Sequence, residues 1–176
     1  MLKFLLSLST CVSFCAFSQE QKPVITQLKT YSAEEWNKWY FDDWDLTTLE
    51  TNKWDRWKMS VWGMEVMIET VTEGNYQSWK IGARGGVCSV VKKKKYNAWT
   101  LISEGKTFTI TATAKDLSSW EMTGDASLKA HVFAPADWDH WVIEGNLVEV
   151  NYPEAVAAFL FVPVFSASVR PVHKLK

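Results

Sequence analysis

The stretch Tyr96-Asn-Ala-Trp99-Thr-Leu101-Ile-Ser-Glu104-Gly105-Lys-Thr107-Phe-Thr-Ile110-Thr-Ala-Thr113 decides the fold of this chain. It opens with a large apolar residue, two intervening residues, Trp, any residue and a second large apolar residue, a form written below as Φ-x-x-Trp-x-Φ. Glu104-Gly105 predicts a tight turn, because glycine adopts positive φ without steric cost. From Thr107 to Thr113 hydroxyl and apolar side chains alternate, which is typical of a strand with one buried and one solvated face. The stretch therefore predicts a strand, a tight turn and a longer strand.

The same unit recurs six times along the chain. Its second aromatic is Trp39, Trp57, Trp79, Trp99, Trp120 and Trp141, in steps of 18, 22, 20, 21 and 21 residues. The residue three positions earlier is also large and apolar in every copy: Trp36, Trp54, Tyr76, Tyr96, Leu117 and Trp138. Alternating runs also follow the last two copies, at Leu128–Val132 and Val148–Tyr152. A period near 21 residues predicts β units that stack on their neighbours around a continuous core.

Two all-β architectures fit residues 34–152. The favoured one is an antiparallel meander of about six hairpin repeats, forming an open sheet or a barrel, in which the two residues inside Φ-x-x-Trp form a hairpin turn. The alternative is a parallel β-solenoid with stacked tryptophans; the uneven steps and hairpin-like glycines disfavour it. A helical repeat is excluded, because no segment inside the units keeps apolar residues at helical spacing. In either β architecture the recurring indoles are expected in the core: Trp57, Trp79, Trp99, Trp120 and Trp141.

Both ends of the chain depart from the repeat. Residues 1–18, a lysine followed by an apolar run and Ala16-Phe17-Ser18, predict a signal peptide cleaved before Gln19. We therefore expect a secreted, periplasmic or cell-surface protein with no transmembrane segment after signal removal. Residues 19–33 are polar and are predicted to form a flexible lead-in. Residues 153–176 are predicted to form a terminal cap, 153–169, and a basic tail, because repeat arrays need atypical end units.

Composition and motifs narrow the function classes. Of the 176 residues, 47% are hydrophobic and 22% charged, and the formal net charge of −1 excludes a strongly basic nucleic-acid-binding surface. Removal of residues 1–18 leaves Cys88 as the sole cysteine, which excludes an intrachain disulfide and is interpreted as a small buried side chain. The Lys92–Lys95 run is interpreted as a solvated loop between strands.

The sequence carries no recognisable catalytic or metal-binding motif. No two of His131, His140 and His173 share a cysteine or carboxylate at ligand spacing, and no phosphate loop, dinucleotide fingerprint or Gly-x-Ser-x-Gly motif occurs. The carboxylates of Asp42-Asp43-Asp45 and Asp137–Asp139 are the candidates for an acid/base pair or calcium binding. Because acidic residues are ordinary in the loops of exported proteins, we predict a protein that is not an enzyme and uses no cofactor or metal.

The serial Φ-x-x-Trp-x-Φ units of residues 36–152, behind a signal peptide that ends Phe-Ser-Gln, resemble the Trp-rich repeat proteins exported by Bacteroidetes-type bacteria. The spaced aromatic-plus-glycine hairpins are also loosely similar to MORN repeats. Because the Trp-rich proteins are functionally uncharacterised, the resemblance implies an exported repeat protein and no activity.

The aromatic residues are the best candidates for function. Trp44 and Trp62 lie outside the repeated positions, and Tyr96 and Trp138 belong to the variable leading position, so these four are the candidate ligand-binding residues. Flat indole and phenol faces suit sugar rings or partner proteins. The first hypothesis is a non-catalytic binding module for glycans or cell-envelope components. The alternative is a structural or protein-interaction repeat protein of the envelope, and a small outer-membrane barrel ranks last because its strands need about 9–11 residues.

Overall fold

A computed structural model describes residues 25–32, 35–50, 53–82, 86–92 and 95–174, so the signal-peptide prediction lies outside the described residues. Twelve strands and two helices follow one another: β1 (Ile25–Thr30), β2 (Lys38–Phe41), β3 (Trp44–Thr48), β4 (Arg56–Val61), β5 (Met64–Thr70), β6 (Ser78–Ile81), β7 (Gly86–Lys92), β8 (Lys95–Ser103), β9 (Lys106–Ala112), β10 (Ser119–Thr123), β11 (Leu128–Val132), β12 (His140–Glu144), α1 (Leu147–Val150) and α2 (Pro153–Lys174).

The strands form a closed antiparallel barrel in which every strand pairs with its sequence neighbours. The circle closes where β1 pairs with β12, from Ile25 opposite Glu144 to Lys29 opposite His140. The predicted meander is therefore confirmed in its barrel form, and the parallel solenoid is wrong. Two-residue turns join β2 to β3, β4 to β5 and β8 to β9. In the last of these, Glu104–Gly105, the φ angles of 49° and 74° are those of a type I′ turn.

Strand β1 corrects the interpretation of residues 19–33 as a flexible lead-in, because residues 25–30 form part of the barrel wall. Leu28 of this strand is completely buried, opposite Trp141. The run Val148–Tyr152, expected to be a strand, contributes instead to the short helix α1. Asn146 caps that helix by accepting a hydrogen bond from the Val148 amide. The two corrections share a cause: β1 already occupies the free edge of β12, so a further strand has no partner there.

The recurring tryptophans line the inside of the barrel. Trp57, Trp79, Trp99, Trp120 and Trp141 have 0% exposure, which confirms the core prediction, and Trp39, which that prediction did not include, is buried to the same extent. In each unit the indole Nε1 donates to the main-chain carbonyl of the residue three positions earlier, at 2.8–3.4 Å. In five units the Φ-x-x-Trp segment spans the end of a loop and the start of the next strand, and in the fourth unit, Tyr96–Trp99, it lies wholly within β8. It is not the hairpin turn that was expected.

Helix α2 fills the barrel interior. Twelve strands spaced about 4.8 Å apart and tilted by about 40° enclose a cylinder about 24 Å across, which side chains alone do not fill. Residues 153–166 are buried on every side of the helix, as expected for a helix that is apolar all round. The segment predicted to be a terminal cap is thus the central core element. Within the described residues, no helix combines the length and apolarity required to span a membrane.

The two ends of the barrel differ. One, called here the turn end, carries the tight turns Asp42–Asp43, Trp62–Gly63 and Glu104–Gly105; the other, the aromatic end, carries the leading residues of the Φ-x-x-Trp segments. Helix α2 enters at the turn end, where a Cβ built on Gly82 would lie 2.6 Å from Cγ of Glu154. It runs toward the aromatic end, where Phe165 meets Tyr76 and Tyr96 at 5.8 and 5.9 Å.

Candidate functional site

The four candidate ligand-binding residues lie in two pairs at opposite ends of the barrel. Trp44 starts β3 and Trp62 occupies the β4–β5 turn, so both lie at the turn end. Tyr96 and Trp138 precede Trp99 and Trp141 at the aromatic end. All four are partly buried and packed against the core. The structure therefore does not bring the four together into one site.

Tyr96 and Trp138 belong to an arrangement that recurs around the barrel. In five of the six units the leading aromatic ring lies 5.5–6.0 Å from the ring of its own tryptophan. Tyr96 also contacts Phe165 of α2, and its burial raises the pKa of its phenol. Tyr96 therefore forms part of the contact between the barrel wall and α2, while Trp138 packs on Trp141 of the wall.

Trp44 and Trp62 contact each other outside this recurring arrangement. Their ring centroids are 6.0 Å apart at an interplanar angle of 89°, an edge-to-face geometry that the indole quadrupole favours. Phe41, opposite Trp44 across the Asp42–Asp43 turn, packs on the same ring at 5.4 Å. Trp62 has a φ of 49°, which a bulky residue rarely adopts. In this unusual backbone conformation the Trp62 ring contacts the ring of Trp44.

A pocket opens where β3 and β4 separate. Its lining includes Asp45 and Gly63, the chain neighbours of Trp44 and Trp62, but neither indole. The β3–β4 ladder ends at Leu46 opposite Met59, whereas the β4–β5 ladder continues for two more pairs to Val61 opposite Met64. The pocket, called here the β3–β4 notch, measures about 460 Å³. Its lining combines acidic, basic, hydroxyl and apolar groups: Asp45, Thr47, Lys58, Met59, Ser60, Gly63 and Glu65.

Two interactions set the charge of the β3–β4 notch. The Tyr31 hydroxyl donates a hydrogen bond to Oδ1 of Asp45, and this bond is the largest of the causes that raise the pKa of Tyr31. Nζ of Lys58 lies 3.8 Å from Oε2 of Glu65 across the β4–β5 pair. The lining therefore carries two carboxylates and one ammonium group.

A second polar cluster surrounds Trp138. His140 stacks on Phe133 with centroids 4.3 Å apart, and its Nδ1 lies 3.6 Å from Oδ2 of Asp137. Burial lowers the pKa of His140, while a hydrogen bond to Asp139 is the main cause that raises the pKa of Asp137. Among the described residues no three His, Cys, Asp or Glu side chains are placed to hold a metal ion.

Cys88 faces the core. It is 1% exposed, and its burial raises the thiol pKa to about 12, which confirms the interpretation of a small buried side chain. Catalytic thiols have lowered pKa values and partial exposure, so Cys88 has the environment of a structural residue.

The sequence pointed to the two tryptophans of this site but not to its lining. The alternation along β3 and β4 is the sequence signal that could have placed Asp45, Lys58 and Ser60 on the outer face. It did not reveal that the β3–β4 ladder stops early, because the length of a ladder depends on how the barrel twists and not on one strand's pattern. The spacing of 18 residues between Trp39 and Trp57, shorter than the other steps of the repeat, is the sequence irregularity in the segment that forms the notch.

Comparison of the chain with protein-family models, with curated proteins and with solved structures finds no match. The resemblance to exported Trp-rich repeat proteins and to MORN repeats therefore stays a prediction, and function is argued from the geometry of the site.

Proposed function

We propose that this protein is an exported, non-catalytic binding module that takes glycans or other cell-envelope components at the β3–β4 notch. The observation that carries the proposal is the contact between Trp44 and Trp62, two indoles that the repeat does not require. Each is followed in the chain by a lining residue, Asp45 or Gly63, of a pocket with carboxylate, ammonium and hydroxyl groups. Apolar rings next to a few polar groups are the usual composition of a small-molecule site.

The filled interior supports an external site. Helix α2 and the six repeat tryptophans occupy the space in which other barrels hold a ligand. All six indole N–H groups are already bonded to carbonyl oxygens of the chain, so they are not donors for a ligand. Binding is therefore expected on the outer surface or at the rims of the barrel.

The test is a site-resolved titration of the full chain labelled with 5-fluorotryptophan. Its ¹⁹F NMR spectrum separates the tryptophans, and Trp44→Phe and Trp62→Phe identify the two resonances of interest. We expect envelope oligosaccharides to shift these two resonances saturably. The Trp54 resonance, from the opposite end of the barrel, is the internal control and is expected to stay unchanged.

The outcomes separate the hypotheses. Weaker binding in Asp45→Asn, with an unchanged denaturation midpoint, supports the notch as the site. Saturable shifts confined to Trp138 would move the site to the aromatic end. The absence of any saturable shift across the oligosaccharide panel would reject the glycan-binding proposal.

A second candidate function, protein interaction, is favoured by a different surface. Each of the other nine strands places a charged or histidine side chain on its outer face, whereas on β7, β8 and β9 the outer positions whose side chains the structure describes are uncharged. Val87 and Ile102 are cross-strand partners there and are 39% and 55% exposed. The uncharged face is completed by a further exposed valine and by small and hydroxyl residues: Val91, Ser89, Ala98, Thr100, Thr107, Thr109 and Thr111.

Self-association tests this candidate. If the uncharged face binds a second copy, sedimentation velocity is expected to show a concentration-dependent dimer that Ile102→Lys abolishes. Val148→Lys, at a position 71% exposed on α1, is the matched surface control. A monomer at all concentrations would exclude self-association and leave the glycan-binding proposal unaffected.

A further inference from the structure

We infer that the β3–β4 notch selects amino sugars over acidic sugars, because its free charge is the carboxylate of Asp45. This inference rests on the proposed glycan-binding function and names the class of ligand that the same site takes.

The positive charge of the notch is already compensated. Lys58 on β4 lies within ion-pair distance of Glu65 on the neighbouring strand β5. A carboxylate or phosphate group of a ligand would have to compete with Glu65 for this ammonium group. Acidic sugars therefore gain little from Lys58 and are repelled by the remaining carboxylate.

Asp45 has no cationic partner among the ion pairs of the described residues. The nearby Lys38 is engaged elsewhere: its Nζ lies 4.2 Å from the centroid of the Tyr31 ring, in a cation–π contact. The Tyr31 hydroxyl occupies Oδ1 of Asp45 and orients the carboxylate, which leaves Oδ2 to accept from a ligand.

A protonated sugar amine suits this arrangement. It donates charge-assisted hydrogen bonds to Oδ2 of Asp45, while the sugar ring lies over the floor of the notch near Met59 and Gly63. Because Asp45 is exposed, the gain is that of a surface ion pair and is screened by salt. The preference is therefore moderate in size and dependent on ionic strength.

The experiment titrates the 5-fluorotryptophan-labelled full chain with methyl glycosides of glucose, glucosamine and glucuronic acid in mildly acidic, low-salt buffer. We expect glucosamine to bind about fivefold more tightly than glucose, the factor that an exposed ion pair supplies. Glucuronic acid is expected to bind more weakly than glucose. High salt is expected to bring the affinities of the three sugars together.

Two matched variants test the assignment of charge. Asp45→Asn is expected to remove the preference for glucosamine while Tyr31 keeps an oxygen acceptor. Glu65→Gln frees Lys58 and is expected to raise the affinity for glucuronic acid at least twofold. Methylamine, an amine without a sugar ring, is the control ligand; if it matched the affinity of glucosamine, the notch would be a simple cation site and the inference would be wrong.

The failures of the two proposals are distinguishable. Equal affinities for the three sugars at low salt would overturn the preference and leave glycan binding intact. If none of the three sugars shifted the Trp44 and Trp62 resonances saturably, both proposals would be overturned. A preference that persists unchanged in Asp45→Asn would show that another group selects the amine, and would also overturn the inference.

Discussion

The indole Nε1 of Trp57 donates a hydrogen bond to the carbonyl oxygen of Trp54, 2.9 Å away. The same bond links the equivalent residues of the other five units. It closes a short loop at the aromatic end and satisfies the one polar group of a fully buried ring. This explains why the recurring position is tryptophan and not another large apolar residue: phenylalanine would fill part of the space but would leave the carbonyl without its donor.

Replacing Trp57 by Phe is expected to destabilise the fold by about 2–3 kcal/mol, through the lost hydrogen bond and the incompletely filled site. Trp44→Phe, at a half-buried position whose indole makes no recurring bond, is the control and is expected to cost less than about 1 kcal/mol. Urea denaturation followed by circular dichroism measures both. Equal costs for the two variants would contradict the role given to the indole hydrogen bond.

Phe161 of α2 is expected to be the most sensitive contact between the helix and the barrel. Its ring lies 5.8 Å from Trp57 and 4.7 Å from Trp79. Phe161→Ala removes both contacts and is expected to cost about 3–5 kcal/mol. Phe133→Ala, at a 58% exposed position, is the size-matched control with an expected cost below about 1 kcal/mol.

Ending the chain at Tyr152 tests the same role of α2 more severely. Without the helix, the six repeat indoles would line an empty space about 24 Å across. We expect loss of cooperative unfolding and a red shift of tryptophan emission relative to the full chain. A truncated chain that unfolds cooperatively with unshifted emission would show that the barrel does not depend on its filling.

The wall of the barrel could be predicted from the sequence, whereas its closure and filling could not. The position of Trp99 within its unit and the alternation in Thr107–Thr113 are local sequence patterns. A local pattern of this kind determines which face of a strand is buried. By contrast, the position of β1 beside β12 is a pairing between residues more than 100 positions apart, and the alternation in Ile25–Thr30 is weak. The apolar sequence of α2 predicts that the segment is buried, but it does not predict that the segment lies inside the barrel.

The candidate site was predictable to a similar extent. Trp44 and Trp62 were identified because they break the period, and the structure places them in contact. Tyr96 and Trp138 were selected as variable positions, yet they join the ring contacts that most units share. The charges of the notch come from three strands, so their proximity follows from register and not from spacing in the sequence.

Gly82 and Gly74 provide a matched pair for the fit between α2 and the barrel wall. Both have a φ of 73°, so an alanine is strained to the same degree at each, by about 1 kcal/mol. The Cβ of an alanine at position 74 would have no atom within 4 Å, whereas at position 82 it would lie 2.6 Å from Cγ of Glu154. Gly82→Ala is therefore expected to cost more than Gly74→Ala by at least about 1 kcal/mol.

A double variant isolates the contact between Gly82 and the helix. Glu154→Ala removes the atoms that the new Cβ would meet, so the excess cost of Gly82→Ala is expected to shrink in its background. Glu154 is 4% exposed, and its Oε2 accepts no hydrogen bond within the described part of the chain. Additive costs in the double-mutant cycle would mean that the strain at Gly82 arises from the backbone alone.

Cys88 is expected to make stability fall at alkaline pH. Burial raises its pKa from 9.0 to about 12, so the unfolded chain loses the thiol proton first. The contribution is fully present below about pH 9 and is lost as the pH rises toward 12, by about 1.4 kcal/mol per pH unit. Because lysine and tyrosine side chains also titrate in this range, the measurement is the difference in unfolding free energy between the parent chain and Cys88→Ala. That difference is expected to change with pH only above about 9, and a difference that stays constant up to pH 11 would contradict the burial of the thiol.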